Sequence, residues 1–265
     1  MVTDRFQLTG RTAFVTGCFG HVGQSICAVL AELGATVIGS DVLSQSDWGR
    51  SETLLSASNV ELDFVPIDLS SSSAMEEGVL RVKALTNRVD ILVNNAATVK
   101  VVGPGGAIKG LVDESDEAFR IALDVNLVAP FALVRELLPL LRESGNASII
   151  NVASIYGLLG PVPHLYEGTE MTSHAAYAAS KGGLVQLTRY LATMLAPGIR
   201  VNAIAPGGLE RNQEASFVDR YVQRTPMARM GRESDLEGAV AWLAGDAASY
   251  VTGQVIAIDG GWTSW

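Results

Sequence analysis

The 265-residue sequence predicts an α/β protein with a doubly wound parallel sheet of seven strands, built as a single domain over residues 1–265. Short runs rich in β-branched residues alternate with longer segments whose apolar residues recur with helical period. The short runs are apolar without interruption, as strands buried on both faces of a parallel sheet are. Hydrophobic residues at 48% and charged residues at 18% exclude a disordered chain.

The predicted elements follow one another in regular alternation. The strands are predicted at 12–16, 36–40, 60–67, 91–93, 148–152, 200–204 and 255–258. The first helix follows strand one directly, because its apolar residues from Val22 to Leu33 share one face, and Gly34 ends it. Further helices are predicted at 72–86, 114–142, 174–196 and 233–245. Gly103, Gly105, Gly106 and Gly110 predict a flexible loop that borders the site after strand four.

Charge and cysteine content exclude several classes of protein. A formal net charge of −9 argues against a nucleic-acid or anionic-membrane partner. Cys18 and Cys27 are too few for a zinc site or a disulfide framework, so we expect reduced cysteines in a cytoplasmic protein. The three histidines have no metal-ligand spacing, so no metal is expected. We also expect a soluble protein, since no apolar run approaches the ~20 residues of a membrane helix.

A glycine-rich loop predicts a dinucleotide site. Gly17, Gly20 and Gly23 lie between strand one and the first helix, where glycine lets the backbone approach a pyrophosphate and the helix N-terminus presents free N–H groups. Asp41 ends strand two, and a carboxylate there accepts hydrogen bonds from the ribose hydroxyls of NAD and repels a 2′-phosphate. The sequence therefore predicts NAD rather than NADP, with a turn-forming Asp41 as the alternative.

Tyr177 and Lys181 predict an acid/base pair. They are four residues apart and so share one face of a helix. An ammonium beside a phenol lowers the pKa of the phenol towards neutrality, which allows it to exchange a proton with a carbinol oxygen.

These motifs occur in an order that resembles the short-chain dehydrogenase/reductase family. The order is the glycine loop, Asp68, Asn94-Asn95-Ala96-Ala97, Asn126, Ser154, Tyr177, Lys181 and Pro206-Gly207, and the resemblance extends from Gly10 to Trp262. It implies a Rossmann fold and hydride transfer between NAD(H) and a secondary alcohol or ketone. It also implies catalytic roles for Tyr177 as acid/base, Lys181, Ser154 and Asn126, the last ordering a water in a proton relay. The implied cofactor contacts are Gly17, Phe19, Gly20, His21, Val22, Gly23, Asp41, Asp68, Leu69, Asn94, Ala96, Tyr177, Lys181, Pro206, Gly207 and Leu209.

Other interpretations remain open for several of these residues. Asn126 also suits a buried polar residue that satisfies backbone groups, and Ser154 and Asp68 also suit helix N-caps. A non-catalytic nucleotide-binding protein is one alternative function. An epimerase or dehydratase that acts on a sugar with NAD is another, because the spacing of Gly17, Gly20 and Gly23 is similar to that of the extended branch of the family.

The sequence departs from the family pattern at three places. His21 occupies the position of the second glycine, and Arg211 stands where the family often has a threonine. Ser154 and Tyr177 are 23 residues apart, where about a dozen is usual, so the extra segment, residues 157–172, is expected over the substrate mouth. The predicted substrate contacts are Ser154, Tyr156, Glu167, Thr169, Thr172 and Tyr177.

The inserted segment resembles one in short-chain enzymes of bacterial surface-sugar pathways (flagellin glycans, lipopolysaccharide), which implies a sugar-derived substrate. The amphipathic segments 114–142 and 174–196 match those through which family members form homo-oligomers, so a dimer or tetramer is expected.

Overall fold

The sheet confirms the predicted fold class. The structure is a computed structural model and describes residues 1–42, 60–98 and 111–265. Within these residues seven strands form one parallel sheet in the order β3-β2-β1-β4-β5-β6-β7. The strands are Thr12–Thr16 (β1), Thr36–Ser40 (β2), Leu62–Phe64 (β3), Ile91–Asn94 (β4), Ala147–Val152 (β5), Ile199–Pro206 (β6) and Val255–Ile258 (β7).

Helices cover both faces of the sheet. In the described residues they are His21–Glu32 (α1), Ser72–Leu85 (α2), Asp116–Leu123 (α3), Ala129–Glu143 (α4), Ala175–Leu195 (α5), Ala215–Arg224 (α6) and Ser234–Ala244 (α7). Among these residues, no helix combines the length and apolarity needed to cross a membrane.

Three elements differ from the prediction. The third strand is shorter than 60–67, because only Leu62–Phe64 pairs with β2. The predicted helix 114–142 is divided by a π-helical turn, Asp124–Val128. Helix α6 was not predicted, although Phe217, Val218, Tyr221 and Val222 recur at helical spacing and pack on one side of it.

The core consists of two layers, one on each face of the sheet. Ala13 and Val15 face α1 and α7, whereas Phe14 between them faces the layer formed by α2, α4 and α5. This alternation is the period-2 pattern of a strand, and burial on both faces explains why β1 is apolar throughout.

The topology places the crevice for a ligand between β1 and β4. These strands are neighbours, and the chain continues from β1 towards β2 and β3 on one side but from β4 towards β5 on the other. Ligands of doubly wound sheets bind at the carboxyl ends of the strands where the order reverses in this way. The predicted loop with Gly103, Gly105, Gly106 and Gly110 lies outside the described residues.

Candidate active site

The glycine loop forms a close-packed turn between β1 and α1. Gly17 has a φ of +65°, a conformation that favours glycine. A Cβ atom on Gly23 would lie 1.9 Å from the carbonyl oxygen of Gly17, so the first turn of α1 contacts the loop backbone directly. Asn95 holds the loop from β4, because its Nδ2 donates to the carbonyl oxygens of Thr16 and Gly17 at 2.9 and 3.0 Å.

A cavity of about 810 Å³ opens at this turn, along the carboxyl edge of the sheet. It is lined by all the predicted cofactor contacts except Asn94. The structure does not bring Asn94 to the cavity: its side chain is buried and donates to Asn151 Oδ1 at 2.8 Å. The next residue, Asn95, lines the cavity instead, because successive residues at a strand end point to opposite faces. Thr98, Ile121 and Val125 also line the cavity, and no motif indicated them. Arg211 and Gln213 line it as well, in the segment where the sequence departs from the family's threonine.

Two carboxylates face one end of this cavity. Asp41 accepts hydrogen bonds from the N–H groups of Phe19 at 3.1 Å and Val42 at 2.8 Å, which ties the end of β2 to the glycine loop. Asp68 accepts from the N–H and hydroxyl of Ser70 at 2.9 and 2.6 Å. The N-cap of α2 is Ser71, so Asp68 is a turn residue at the cavity and does not cap that helix.

These features fit a dinucleotide. The cavity size lies within the range of small-molecule sites. The free N–H groups of the α1 N-terminus suit a pyrophosphate, since Gly20 and His21 begin that helix at the cavity. No group of metal-ligating side chains is present among the residues the structure describes.

The predicted acid/base pair lies at the inner end of the cavity. Lys181 is buried, and its Nζ donates to the carbonyl oxygen of Val152 at 2.6 Å and lies 5.7 Å from the centre of the Tyr177 ring. The hydroxyl of Ser154 is within hydrogen-bonding reach of the Tyr177 phenol. Ser154 Oγ also accepts from the N–H of Tyr156 at 3.2 Å and so caps a short 3-10 turn, which combines both interpretations of this residue.

The electrostatics of the pair differ from the prediction. Burial raises the pKa of Tyr177 above its ordinary value, while the Ser154 hydrogen bond and the positive charge of Arg211 lower it. Burial also lowers the pKa of Lys181 from 10.5 to about 8. The expectation that Lys181 brings the pKa of Tyr177 towards neutrality does not hold in this structure, because desolvation outweighs the opposing contributions.

Asn126 connects the two sides of the site. Its Nδ2 donates to the carbonyl oxygen of Thr98 at 3.1 Å and to Ser180 Oγ at 3.0 Å, and its Oδ1 accepts from the N–H of Thr98 at 2.8 Å. Asn126 lies in the π-helical turn, a feature often found at functional sites. It does not line the cavity, and its contacts position the segment after β4 against α5, which carries Tyr177 and Lys181.

A second cavity, of about 220 Å³, adjoins the first at Ser154 and Tyr177. Of the other predicted substrate contacts, Tyr156 and Thr172 line it, but Glu167 and Thr169 do not. Glu167 is exposed and paired with His164 at 2.9 Å. Thr169 Oγ1 donates to the carbonyl oxygen of Tyr166 at 2.9 Å, so it supports the loop backbone.

Sequence reasoning missed most of the second cavity. It is also lined by Ile155, Tyr166, Met171, Ser173, His174, Gly207, Gly208, Gln213, Phe217, Tyr221 and Met230. The aromatic residues among these come from the inserted segment and from α6, two segments that no motif connects. The insertion indicated where the cavity would be, but it did not indicate that these further side chains would face it.

Fold and site together define a dinucleotide-dependent oxidoreductase. A profile of the family described as "Enoyl-(Acyl carrier protein) reductase" matches residues 20–263. The chain is 33% identical over 266 residues to a 2-dehydro-3-deoxy-D-gluconate 5-dehydrogenase of Pseudoalteromonas atlantica, with 98% of each protein covered. The chain belongs to the short-chain dehydrogenase/reductase family, whose members act on hydroxyl and keto groups.

Two solved structures extend the comparison. A gluconate 5-dehydrogenase from Burkholderia cenocepacia, in complex with NADP and tartrate, has a TM-score of 0.85 and 28% identity, with both chains covered completely. A short-chain dehydrogenase from Leptospira borgpetersenii with bound NAD+ has a TM-score of 0.82 and 32% identity, covering 97% of this chain and 94% of the other. Both of these relatives bind a nicotinamide dinucleotide, but only the first is bound to the form with a 2′-phosphate.

Proposed function

We propose that this protein is an NAD-preferring oxidoreductase that interconverts a sugar-derived secondary alcohol and its ketone. One observation carries the proposal: Ser154 and Tyr177 line both the dinucleotide cavity and the second cavity. A substrate in the second cavity would therefore meet the acid/base group where the two cavities join.

The residues of the site have distinct roles in this proposal. Bound NAD(H) supplies the hydride chemistry, and the protein supplies orientation and proton transfer. Tyr177 takes the proton of the alcohol during oxidation and returns it to the carbonyl oxygen during reduction. Ser154 donates a hydrogen bond to the same substrate oxygen. Lys181 holds the nicotinamide ribose, and Asn126 orders a water in the relay that carries the proton away.

Replacing Tyr177 by Phe tests the proton-transfer role. The variant should lose turnover by about 10²–10⁴-fold, which is the contribution that general acid/base catalysis usually makes. NADH binding, followed by fluorescence titration, should remain within about threefold of wild type. Tyr250→Phe, at a fully exposed tyrosine, is the matched control. Wild-type kcat in the Tyr177 variant would show that another group is the base.

The preference for NAD is supported by Asp41. Its carboxylate lines the cavity at the end of β2, where it suits two ribose hydroxyls and repels a 2′-phosphate. Relatives bind either cofactor, so the residue at this position is expected to decide the preference. Wild type should have a higher kcat/KM with NAD than with NADP, and Asp41→Ser should shift that ratio at least tenfold towards NADP. Tighter binding of NADP by wild type would contradict the proposal.

The sugar-derived substrate is supported by the polar groups of the second cavity. Thr172, Ser173, His174 and Gln213 line it, and sites that hydrogen-bond a substrate hydroxyl discriminate strongly against analogues that lack it. The relatives named for gluconate and its 2-dehydro-3-deoxy derivative act on polyhydroxylated compounds, as do the surface-sugar enzymes that the inserted segment resembles. A panel of sugar-derived and plain aliphatic secondary alcohols, followed by NADH absorbance, tests this proposal. Equal turnover of both groups would contradict it.

We also propose one domain, a cytoplasmic location and a homo-oligomer. Buried free thiols at Cys18 and Cys27 support a reducing compartment. Exposed apolar side chains at Val128 and Phe131 lie in the segment predicted to contact a second copy. Size-exclusion chromatography with light scattering tests the oligomer, and a purely monomeric protein at micromolar concentration would contradict it.

A further inference from the structure

The second cavity contains a row of connected hydroxyl groups. The phenols of Tyr156 and Tyr166 are hydrogen-bonded to each other, with 2.5 Å between their oxygens. The Ser173 hydroxyl also interacts with the Tyr166 phenol, and this interaction acts to lower the pKa of that phenol. All three residues line the cavity that Ser154 and Tyr177 share. We call Tyr156, Tyr166 and Ser173 the hydroxyl chain.

A chain of three hydroxyls leaves capacity for a ligand. Each hydroxyl has one proton and two acceptor lone pairs, and the hydrogen bond between Tyr156 and Tyr166 uses one of the three protons. At least one donor and several acceptor positions therefore remain, so the chain suits a ligand hydroxyl in either role. Burial raises the pKa of both Tyr156 and Tyr166, so both phenols stay protonated at neutral pH and can donate hydrogen bonds.

The surroundings make an unmatched ligand costly. The cavity walls include Phe217, Tyr221 and Met230, all largely buried. The Nδ1 atom of His174, in the same wall, is buried and has no hydrogen-bond partner within residues 1–42, 60–98 and 111–265. A ligand hydroxyl could pair with the polar groups of this cavity, whereas an apolar ligand would leave them without a hydrogen-bond partner.

The inserted segment holds Tyr166 firmly in place. Its ring packs against Phe217 with 5.5 Å between ring centres. Arg220 of α6 donates from Nη1 to the carbonyl oxygens of His164, Leu165 and Glu167 at 3.2, 3.0 and 2.6 Å. The carboxylate of Glu214 accepts from the N–H of Glu170 at 2.9 Å. The phenol of Tyr166 is thus presented from a fixed loop, which reduces the entropy lost when a ligand binds.

We propose that the hydroxyl chain is a subsite for hydroxyl groups of the substrate other than the reacting one, and that Tyr166 is the specificity-determining residue supplied by the insertion. This inference rests on the proposed function and deepens it, because it assigns recognition of a polyhydroxylated substrate to particular atoms. Tyr166 contributes its own hydroxyl to this subsite and also holds the Tyr156 hydroxyl in place.

The test measures ligand binding separately from turnover. The probes are D-sorbitol and 2-hexanol, each titrated into the enzyme–NADH complex and followed by NADH fluorescence. Tyr166→Phe keeps the ring that packs on Phe217 and removes only the hydroxyl. It should raise the Kd of D-sorbitol roughly tenfold, as expected for one lost hydrogen bond, and leave the Kd values of 2-hexanol and NADH within twofold. Tyr250→Phe is the control.

A double variant distinguishes a connected chain from independent contacts. The two hydroxyls act as a unit, so removing both should cost little more than removing one. The Kd of D-sorbitol for the double variant Tyr156→Phe, Tyr166→Phe should be no more than about twice that of the single variant that binds it less tightly. Equal shifts for both probes, no shift for D-sorbitol, or no binding of D-sorbitol by wild type would each overturn the inference. If no alcohol is turned over but the probes still discriminate, the proposed function fails and the subsite stands. If turnover occurs and the Tyr166 variant keeps wild-type discrimination, the subsite fails alone.

Discussion

The buried ammonium of Lys181 leads to a prediction about stability. Lys181 is only 2% exposed, and burial lowers its pKa from 10.5 to about 8. A lysine in the unfolded chain stays protonated up to its ordinary pKa. Between about pH 8 and pH 10.5 unfolding therefore takes up a proton, and the free energy of unfolding increases as the pH rises.

The size of this effect follows from the distance between the two pKa values. Each unit of pKa corresponds to about 1.4 kcal/mol, so the change from 10.5 to about 8 amounts to about 3 kcal/mol. The contribution is unfavourable and constant below pH 8, because the folded protein then holds a desolvated charge. It is relieved as the pH rises and disappears above pH 10.5.

The perturbation is Lys181→Met, which keeps a long apolar stem and removes the titrating group. We expect the free energy of unfolding of wild type, minus that of the variant, to increase by about 3 kcal/mol between pH 7.5 and pH 10.5. Urea denaturation of both proteins at one protein concentration measures it, and the difference cancels groups that titrate alike in both. Parallel pH profiles, or a difference that decreases with pH, would refute the reasoning.

Three further predictions follow from particular contacts. Gly23→Ala places a Cβ 1.9 Å from the Gly17 carbonyl oxygen and should raise the Kd of NADH at least tenfold while the circular dichroism spectrum stays unchanged. Gly160→Ala, where a Cβ meets open space, is the control, and the same Kd of NADH in both variants would contradict the close packing. Arg220→Met removes the donor to three loop carbonyl oxygens and should raise the substrate KM roughly tenfold without changing the Kd of NADH. The control Arg142→Met, at an exposed residue, should change neither constant, and a change in the Kd of NADH alone would contradict the role of Arg220 in supporting the inserted segment. Asp90→Ala removes the acceptor of three hydrogen bonds, which come from the N–H of Thr12, the hydroxyl of Ser144 and Nε of Arg88, and should lower the free energy of unfolding by about 3 kcal/mol. The control Asp116→Asn, at an exposed residue, should lower it by no more than about 0.5 kcal/mol, and similar losses in both variants would argue against a structural role for Asp90.

The sequence by itself determined the sheet and the position of the acid/base pair. Uninterrupted apolar runs such as 12–16 predict strands buried on both faces, and the structure has them there. Tyr177 and Lys181 needed only helical spacing to share a face, and the glycines at 17 and 23 needed only their position between a strand and a helix. These are local properties, so a single segment of sequence contains them.

Only the tertiary structure decided which polar residues reach the cavities. Asn94 and Asn95 are the same residue type, but successive side chains at the end of β4 point in opposite directions. Asn94 therefore contacts Asn151, and Asn95 contacts the glycine loop. In the inserted segment, contacts with α6 bring Tyr166 to the second cavity and leave Glu167 in solvent. The pKa of Tyr177 likewise depends on how deeply the surrounding elements bury it. For these side chains in and beside the cavities, burial and direction arise from packing between segments distant in sequence, and local residue patterns do not specify them.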